Sequence, residues 1–208
     1  MRIALCNEVI APMPFPKQCE YAAKLGYDGL EIAPYTLPDE PQQRRVDAGD
    51  SRAAAMARAQ ESFAAVAGRA EKASVIYCIE PLSSDQTQLI NTLEEAAAMV
   101  KAIGSRSVRS MLDCSSAGRM ETAPLPALVD TWLPKGIIAH VQVNDRNRRG
   151  PGQGEQCFAP LLAALVRHGY VGDIAVEPFD YVPDGPGAAA RAIGYVKGIL
   201  EALQESRA

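Results

Sequence analysis

Four oxygen-bearing side chains stand at the ends of short apolar runs in this chain. They are Glu80, Asp113, Gln142 and Glu177, and the intervals between them are 33, 29 and 35 residues. Each interval is close to the length of one strand-plus-helix unit. Equal phase would then place all four at the carboxyl end of neighbouring parallel strands, where active sites of parallel barrels lie. The spacing predicts a shared site, although four unrelated polar residues at exposed strand ends would give the same pattern.

The charge of this row of side chains indicates a metal cofactor. Three carboxylates that converge without a cation repel one another, and at least one of them takes up a proton. A divalent cation removes this conflict. Because every ligand offered is an oxygen atom, Mg²⁺ or Mn²⁺ suits the site better than Zn²⁺ does. We therefore expect a divalent metal, Mg²⁺ or Mn²⁺.

The elements that would position these residues alternate between β-branched strands and helices rich in Ala and Leu. Such alternation builds a parallel sheet from right-handed β-α-β units. The predicted strands are Arg2–Val9, Leu30–Pro34, Val75–Glu80, Val108–Asp113, Ile137–Val143 and Ile174–Glu177. The predicted helices are Phe15–Leu25, Ser51–Lys72, Thr92–Ile103, Leu125–Leu133, Phe158–His168 and Ala188–Leu203. Ser51 is expected to cap its helix, and Gly26 to end the first one.

One segment interrupts this rhythm. Tyr35–Asp50 is rich in Pro, Asp, Gln and Arg and has no clear strand or helix pattern. A closed barrel of eight units usually needs about 250 residues, whereas this chain has 208. We therefore predict an α/β fold, a (β/α) barrel of six strands that is shortened by about two units between Tyr35 and Asp50. A strand overlooked in this segment is the alternative. Residues 1–208 are expected to form a single barrel domain.

Composition narrows the partners and the compartment. The net charge of −4 argues against a partner that is mainly nucleic acid or an anionic membrane. Five scattered cysteines without a CxxC pair argue against a disulfide framework or a thiolate zinc site. The opening segment MRIALCNEVIAP is interrupted by Asn7 and Glu8 and is not expected to act as a signal peptide. We expect a cytoplasmic protein.

Several segments resemble the xylose-isomerase-like barrels, a family of TIM-type barrels that holds sugar-phosphate isomerases and epimerases, ketose 3-epimerases, hydroxypyruvate isomerase and AP endonucleases. These segments are LGYDGLEIAP, CIEPL, MLD, HVQVNDRNRRGPGQGE and GYVGDIAVEPFDY. The resemblance implies that Glu80, Asp113, Gln142 and Glu177 occupy the four metal-ligand positions. Epimerase members usually carry His where this chain has Gln142, whereas hydroxypyruvate-isomerase members use Gln there.

The resemblance also implies a reaction. A metal bound to the carbonyl and adjacent hydroxyl of a ketose or hydroxy-aldehyde acidifies the neighbouring C–H bond and stabilises an enediolate. Glu80 and Glu177, on opposite sides of that carbon, would remove the proton and return it. Return to the opposite face epimerises, and return to the neighbouring carbon isomerises. The expected substrate is a small sugar, a sugar phosphate or a hydroxy-keto acid.

Five further residues are candidates for contact with the substrate. Arg148 matches the position that holds the substrate's terminal oxygen in the epimerases, although a solvated loop arginine is an equal alternative. Ser116 and Gln86 stand where the epimerases place His and Glu, so either the substrate differs from theirs or activity is lost. His140 is a support for a ligand or a core histidine. Glu31 either reaches the pocket or has a structural role.

Three functions follow from these observations. The first is the metal-dependent isomerase or epimerase. The second is an inactive, truncated barrel that serves as a binding or assembly module. The third and least favoured is an AP-endonuclease-like phosphodiesterase, because that chemistry uses three zinc ions and several histidines and this chain has two. Loss of two units exposes sheet edges, so we also expect a homo-oligomer that covers them.

Overall fold

The computed structural model describes residues 1–31 and 51–205, and it contains a sheet of six parallel strands. The strands are β1 Arg2–Cys6, β2 Gly29–Glu31, β3 Tyr77–Ile79, β4 Val108–Asp113, β5 Ile138–Val143 and β6 Asp173–Val176. Their spatial order is β2-β1-β6-β5-β4-β3, and every neighbouring pair is parallel. This is the cyclic order of a barrel that stays open between β2 and β3 in the described part of the chain. The prediction of a shortened (β/α) barrel is confirmed.

Seven helices and one 3₁₀ turn lie in the described ranges. The helices are α1 Phe15–Leu25, α2 Arg52–Ala73, α3 Leu93–Ile103, α4 Cys114–Met120, α5 Leu125–Trp132, α6 Ala159–Arg167 and α7 Gly185–Glu205. The two residues that were predicted to end or cap a helix, Gly26 and Ser51, do so. The Ser51 hydroxyl accepts a hydrogen bond from the Ala54 N–H, and Gly26 ends α1 in the left-handed region at φ 88°. None of the helices seen combines the length and the apolarity that a membrane span requires.

Two predicted strand boundaries need correction, and one helix was missed. The first strand was predicted to run to Val9, but it ends at Cys6 because Asn7–Ile10 form the 3₁₀ turn, whose Glu8 carbonyl accepts a hydrogen bond from the Ala11 N–H. The third strand begins at Tyr77 rather than Val75, since Ser74 ends α2 in the left-handed region and Val75 is exposed. Helix α4 was not predicted. The second predicted strand beyond Glu31, and the segment Tyr35–Asp50, lie outside the described residues.

The main core lies between the sheet and helices α5, α6 and α7. The neighbouring strands β1, β6 and β5 each contribute a fully buried side chain to this core, namely Leu5, Ile174 and Val141. Phe158, just before α6, is also fully buried and packs edge-on against the ring of Tyr195 on α7. Burial of one such side chain stabilises the fold by about 1.5–3 kcal/mol. This core holds the carboxyl ends of β1, β5 and β6 in fixed positions, so the residues that follow them are also fixed.

The start of α7 packs against the 3₁₀ turn with no space for a side chain. A Cβ atom built on Gly185 would lie 1.7 Å from the carbonyl oxygen of Val9. Gly185→Ala is therefore expected to lower the free energy of unfolding by about 2–3 kcal/mol, because one backbone must move away from the other. Urea denaturation measures this change.

The matched control lies in the same helix. A Cβ on Gly198 meets nothing within 4 Å, so Gly198→Ala should stabilise the protein by about 0.5–1 kcal/mol through helix propensity. Equal effects of the two substitutions would contradict this packing.

Candidate active site

The structure brings three of the four predicted ligands together at the carboxyl end of the sheet. Glu80 directly follows β3, Asp113 is the last residue of β4, and Glu177 directly follows β6. One carboxylate oxygen of each lies within 4.8 Å of the others. Oxygen atoms that share one Mg²⁺ sit about 2.1 Å from the ion, so small side-chain movements would let these three carboxylates hold one cation.

Burial and mutual repulsion make these carboxylates hard to ionise. Desolvation, followed by the negative charges of its neighbours, raises the pKa of Glu80 to about 8. The same causes raise the pKa of Glu177 to about 10, with Glu80 as its strongest charged neighbour. Burial also raises the pKa of Asp113. A cation placed among the three would favour their ionised forms, which is the condition expected of a metal site.

Asp113 is the most firmly held of the three. One of its carboxylate oxygens accepts a hydrogen bond from the Ser116 N–H, which makes Asp113 the N-cap of α4. The other oxygen accepts a hydrogen bond of 2.8 Å from the Asn144 side-chain amide. Helix α4 thus begins where it does because Asp113 caps it, and both contacts limit how the carboxylate can turn.

Asn144 connects three strand ends, and the sequence analysis missed it. Its amide group also donates to the carbonyl oxygen of Glu177 at 3.0 Å, and its side-chain oxygen accepts from the Ser115 N–H at 2.9 Å. Asn144 is completely buried. The one signal in the sequence was its position two residues after Gln142, close to the end of β5.

Removal of the Asn144 side chain should affect both stability and metal affinity. Asn144→Ala leaves a buried Asp113 oxygen and the Ser115 N–H without their hydrogen bonds, so the free energy of unfolding is expected to fall by about 2–4 kcal/mol. The affinity for Mn²⁺ should fall about 10- to 100-fold, as for other groups that orient a ligand. Urea denaturation and calorimetric titration with Mn²⁺ measure the two effects.

Asn91 supplies the control for this variant. Its amide donates to the carbonyl oxygens of Leu82 and Thr87, and neither hydrogen bond involves the three carboxylates. Asn91→Ala should therefore destabilise the fold and leave the affinity for Mn²⁺ within about threefold of the wild type. Equal losses of metal affinity in both variants would show that Asn144 acts through general stability alone.

Gln142 lies beside the cluster with a free acceptor. It is the register partner of Asp113 across β4 and β5. Its amide N–H donates to a Glu31 carboxylate oxygen at 3.0 Å, and its buried side-chain oxygen has no hydrogen-bond partner among the described residues. His140 Nε2 lies 3.2 Å from the same Glu31 oxygen. The orphaned Gln142 oxygen fits the fourth position of a cation site. Glu31 lies near Glu177 and contacts Gln142 and His140, and its contact with a substrate stays a prediction.

The three other predicted substrate contacts line one cavity. Gln86, Ser116 and Arg148 surround a small space next to Glu80 and Asp113. Arg148 is held in the left-handed region at φ 67°, where its carbonyl oxygen accepts hydrogen bonds from the N–H groups of Phe179 and Asp180. Its guanidinium lies 4.6 Å from the centre of the Phe179 ring. These contacts fix both the backbone and the side chain of Arg148 at the edge of the cavity.

Comparison with known proteins places this architecture in a family. The model of the xylose isomerase-like TIM barrel family matches residues 17–199. The chain belongs to this family. It is 31% identical over 122 residues to the D-psicose 3-epimerase of Ruminiclostridium cellulolyticum, a match that covers 59% of this chain and 41% of that protein. It is 30% identical over 123 residues to the D-psicose 3-epimerase of Agrobacterium fabrum, a match that covers 59% of this chain and 42% of that protein. The matches therefore span about two-fifths of the length of these relatives.

Solved structures share the fold over a larger part of the chain. An L-ribulose 3-epimerase superposes with a TM-score of 0.80 at 17% identity, covering 99% of this chain and 96% of that one. A 3-keto-D-glucoside 4-epimerase from E. coli superposes with a TM-score of 0.79 at 17% identity, covering 95% of this chain and 99% of that one. At these identities the similarity shows the fold alone.

This xylose isomerase-like barrel has a second group of possible ligands. The Cys6 thiol and the Glu31 and Glu177 carboxylates offer one atom each within 4.8 Å of one another. Burial and the charge of Glu177 raise the pKa of the Cys6 thiol far above its usual range. Because a thiol binds a metal as its thiolate, the group of Glu80, Asp113 and Glu177 is the better cation site.

Proposed function

We propose that this xylose isomerase-like barrel is a metal-dependent isomerase or epimerase that acts on a small sugar, a sugar phosphate or a hydroxy-keto acid. The observation that supports this most strongly is the convergence of Glu80, Asp113 and Glu177, with the unpaired oxygen of Gln142 beside them. When bound there, a divalent cation such as Mg²⁺ or Mn²⁺ would polarise the carbonyl and hydroxyl oxygens of the substrate. The names of the related epimerases support the same class of reaction.

Glu80 and Glu177 are suited to move the proton. They follow β3 and β6, which lie on either side of the pair β4 and β5 in the sheet. Their side chains therefore approach the space above β4 and β5 from opposite directions. A carboxylate beside the reacting carbon can remove a proton as a general base and return it as a general acid. Removal of a proton by one and its return by the other would exchange a carbon-bound hydrogen with solvent.

Hydrogen exchange in D₂O tests this proposal. The purified chain is loaded with Mn²⁺ and incubated with D-fructose, D-psicose, D-ribulose 5-phosphate or hydroxypyruvate, and deuterium at the carbon next to the carbonyl is followed by NMR. Metal-dependent uptake with at least one of them is expected. Tight binding of Mn²⁺ without exchange in any of these compounds would instead support the inactive binding or assembly module.

The assembly of the protein forms a further part of the proposal. Within the described residues, β2 and β3 are the edge strands of the sheet and do not pair with each other. The chain is expected to form a single domain over residues 1–208, and a homo-oligomer of this domain would cover such edges. The cytoplasmic location of the protein also stays a prediction. Analytical ultracentrifugation would contradict the oligomer if the chain remained monomeric at micromolar concentration.

A further inference from the structure

The cavity beside Glu80 and Asp113 contains a second arginine that neither the motifs nor the comparisons assign. Arg119, near the end of α4, lines the cavity together with Arg148. Glu80 and Asp113 of the acidic cluster line the same cavity as the two arginines. A lining that carries both signs of charge fits a substrate with a metal-binding end and an anionic end.

Arg119 is only weakly engaged. Its guanidinium lies 3.5 Å from both carboxylate oxygens of Asp85, at the outer limit of a hydrogen bond. The side chain of Asp85 is 64% exposed and that of Arg119 is 37% exposed. An exposed ion pair of this kind contributes little to stability. Arg119 can therefore exchange Asp85 for a ligand in the cavity at small cost.

Arg148 is fixed in place by its backbone hydrogen bonds and its contact with the Phe179 ring. Of the carboxylates in the described ranges, none forms an ion pair with it. Its field acts over a longer distance. A hydrogen bond from Ser83 is the main cause of the lowered pKa of Asp85, and Arg148 adds a small part to it; burial raises the pKa of Glu8, and Arg148 opposes that rise. Arg148 stacks on the Phe179 ring, and its own carbonyl oxygen accepts two hydrogen bonds. These contacts hold the guanidinium in place before a ligand binds.

The rest of the cavity is mainly polar. Ser83, Ser115 and Ser116 line it and are buried, so their polar groups lie away from bulk water. A neutral sugar could hydrogen-bond to hydroxyl groups of this kind, but it would leave Arg148 without an anionic partner and Arg119 with only its long contact to Asp85. A carboxylate or phosphate would pair with both, in charge-assisted hydrogen bonds that are about twice as strong as neutral ones.

We propose that the substrate carries an oxyanion, a carboxylate or a phosphate, which Arg119 and Arg148 bind while its hydroxy-carbonyl end faces Glu80, Asp113 and Glu177. This inference rests on the proposed isomerase or epimerase function and narrows its substrate class to acidic sugars and hydroxy-keto acids. Arg119 is then a residue that determines specificity, because it contacts the anionic end of the substrate rather than the reacting carbon.

Matched pairs of anionic and neutral substrates test the proposal. Deuterium exchange by the Mn²⁺-loaded protein is compared for hydroxypyruvate against dihydroxyacetone, and for D-ribulose 5-phosphate against D-ribulose. The anionic member of one pair should have the higher kcat/KM, and Arg119→Met should reduce that preference about 10- to 100-fold, mainly through KM. The first pair reports a carboxylate and the second a phosphate. Arg191→Met, at an exposed position of α7, should leave the preference unchanged.

A binding measurement separates failure of this inference from failure of the proposed reaction. Calorimetric titration compares D-glycerate with glycerol, neither of which needs to react. If no substrate exchanges deuterium but Arg119→Met weakens D-glycerate binding at least tenfold, the anion site stands and the reaction is wrong. If exchange occurs but neutral substrates are preferred, or if Arg119→Met leaves both the preference and D-glycerate binding unchanged, the anion site is wrong and the reaction stands.

Discussion

Glu177→Gln is expected to abolish metal-dependent deuterium exchange and, in the metal-free protein, to make the fold more stable. The loss of exchange should be about 1,000-fold or more, because the variant lacks both a proton carrier and a charged ligand. The gain in stability has a different origin. At pH 8 the carboxyl of Glu177 is ionised in the unfolded chain, but in the fold its pKa is raised from 4.5 to about 10. Folding must therefore add a proton to it, which is unfavourable.

The size of this gain follows from the pKa shift. For a group that stays protonated in the fold, each pH unit above its pKa in the unfolded chain costs about 1.4 kcal/mol of folding free energy. Because Glu177 interacts with Glu80 and Asp113, we expect only part of the full value, about 2–4 kcal/mol of added stability at pH 8. Gln has nearly the same shape as the protonated carboxyl and needs no proton. Urea denaturation in the presence of a chelator measures the change.

Glu201→Gln is the control for this pair of effects. Glu201 is an exposed residue of α7, far in the chain from the acidic cluster, so its replacement should alter stability by less than about 0.5 kcal/mol and leave exchange intact. A Glu177→Gln variant that exchanges deuterium normally would exclude Glu177 from the reaction. A metal-free variant less stable than the wild type at pH 8 would contradict the charge repulsion described for the site.

The metal-free protein is also expected to lose stability as the pH rises from 5 to 8. The pKa values of Glu80 and Glu177 are raised in the fold, so their contribution is fully present below the ordinary value of 4.5 and is lost as the pH rises through about 8 and about 10. The expected fall in the free energy of unfolding is about 3–5 kcal/mol. Asp85 and Asp130 have lowered pKa values, and their opposite contributions are confined to pH values below this window.

Addition of Mn²⁺ should reverse this loss. A cation at 100 times its dissociation constant stabilises the fold by about 2.7 kcal/mol. Because it binds the ionised carboxylates, this stabilisation should increase between pH 5 and 8. Thermal unfolding at a series of pH values, with Mn²⁺ or with a chelator, measures both curves. In the double variant Glu80→Gln/Glu177→Gln the two curves should coincide. Wild-type stability that stays constant or rises over this range without metal would rule out the raised pKa values.

The repeated pattern of strand and helix was readable from the sequence because it depends on local periodicity. Successive strand-plus-helix units have similar lengths, so Glu80, Asp113 and Glu177 share the same phase and meet at the same end of the sheet. The caps at Ser51 and Gly26 were also readable, since each acts on the backbone within four residues of itself. These features required no knowledge of which strands are neighbours.

Contacts between distant strands were decided only by the tertiary structure. Gln142 turns its amide toward Glu31, 111 residues away in sequence, and so leaves its oxygen free for a cation. Asn144 joins the ends of β4, β5 and β6, and Arg119 reaches the cavity because Asp113 starts a helix directly after β4. Only its place near a strand end marks Asn144 in the sequence, and no local pattern marks Arg119, because their roles come from the order of strands in the sheet. The positions of the carboxylates were thus determined locally, whereas their orientation and the second arginine beside them depend on packing.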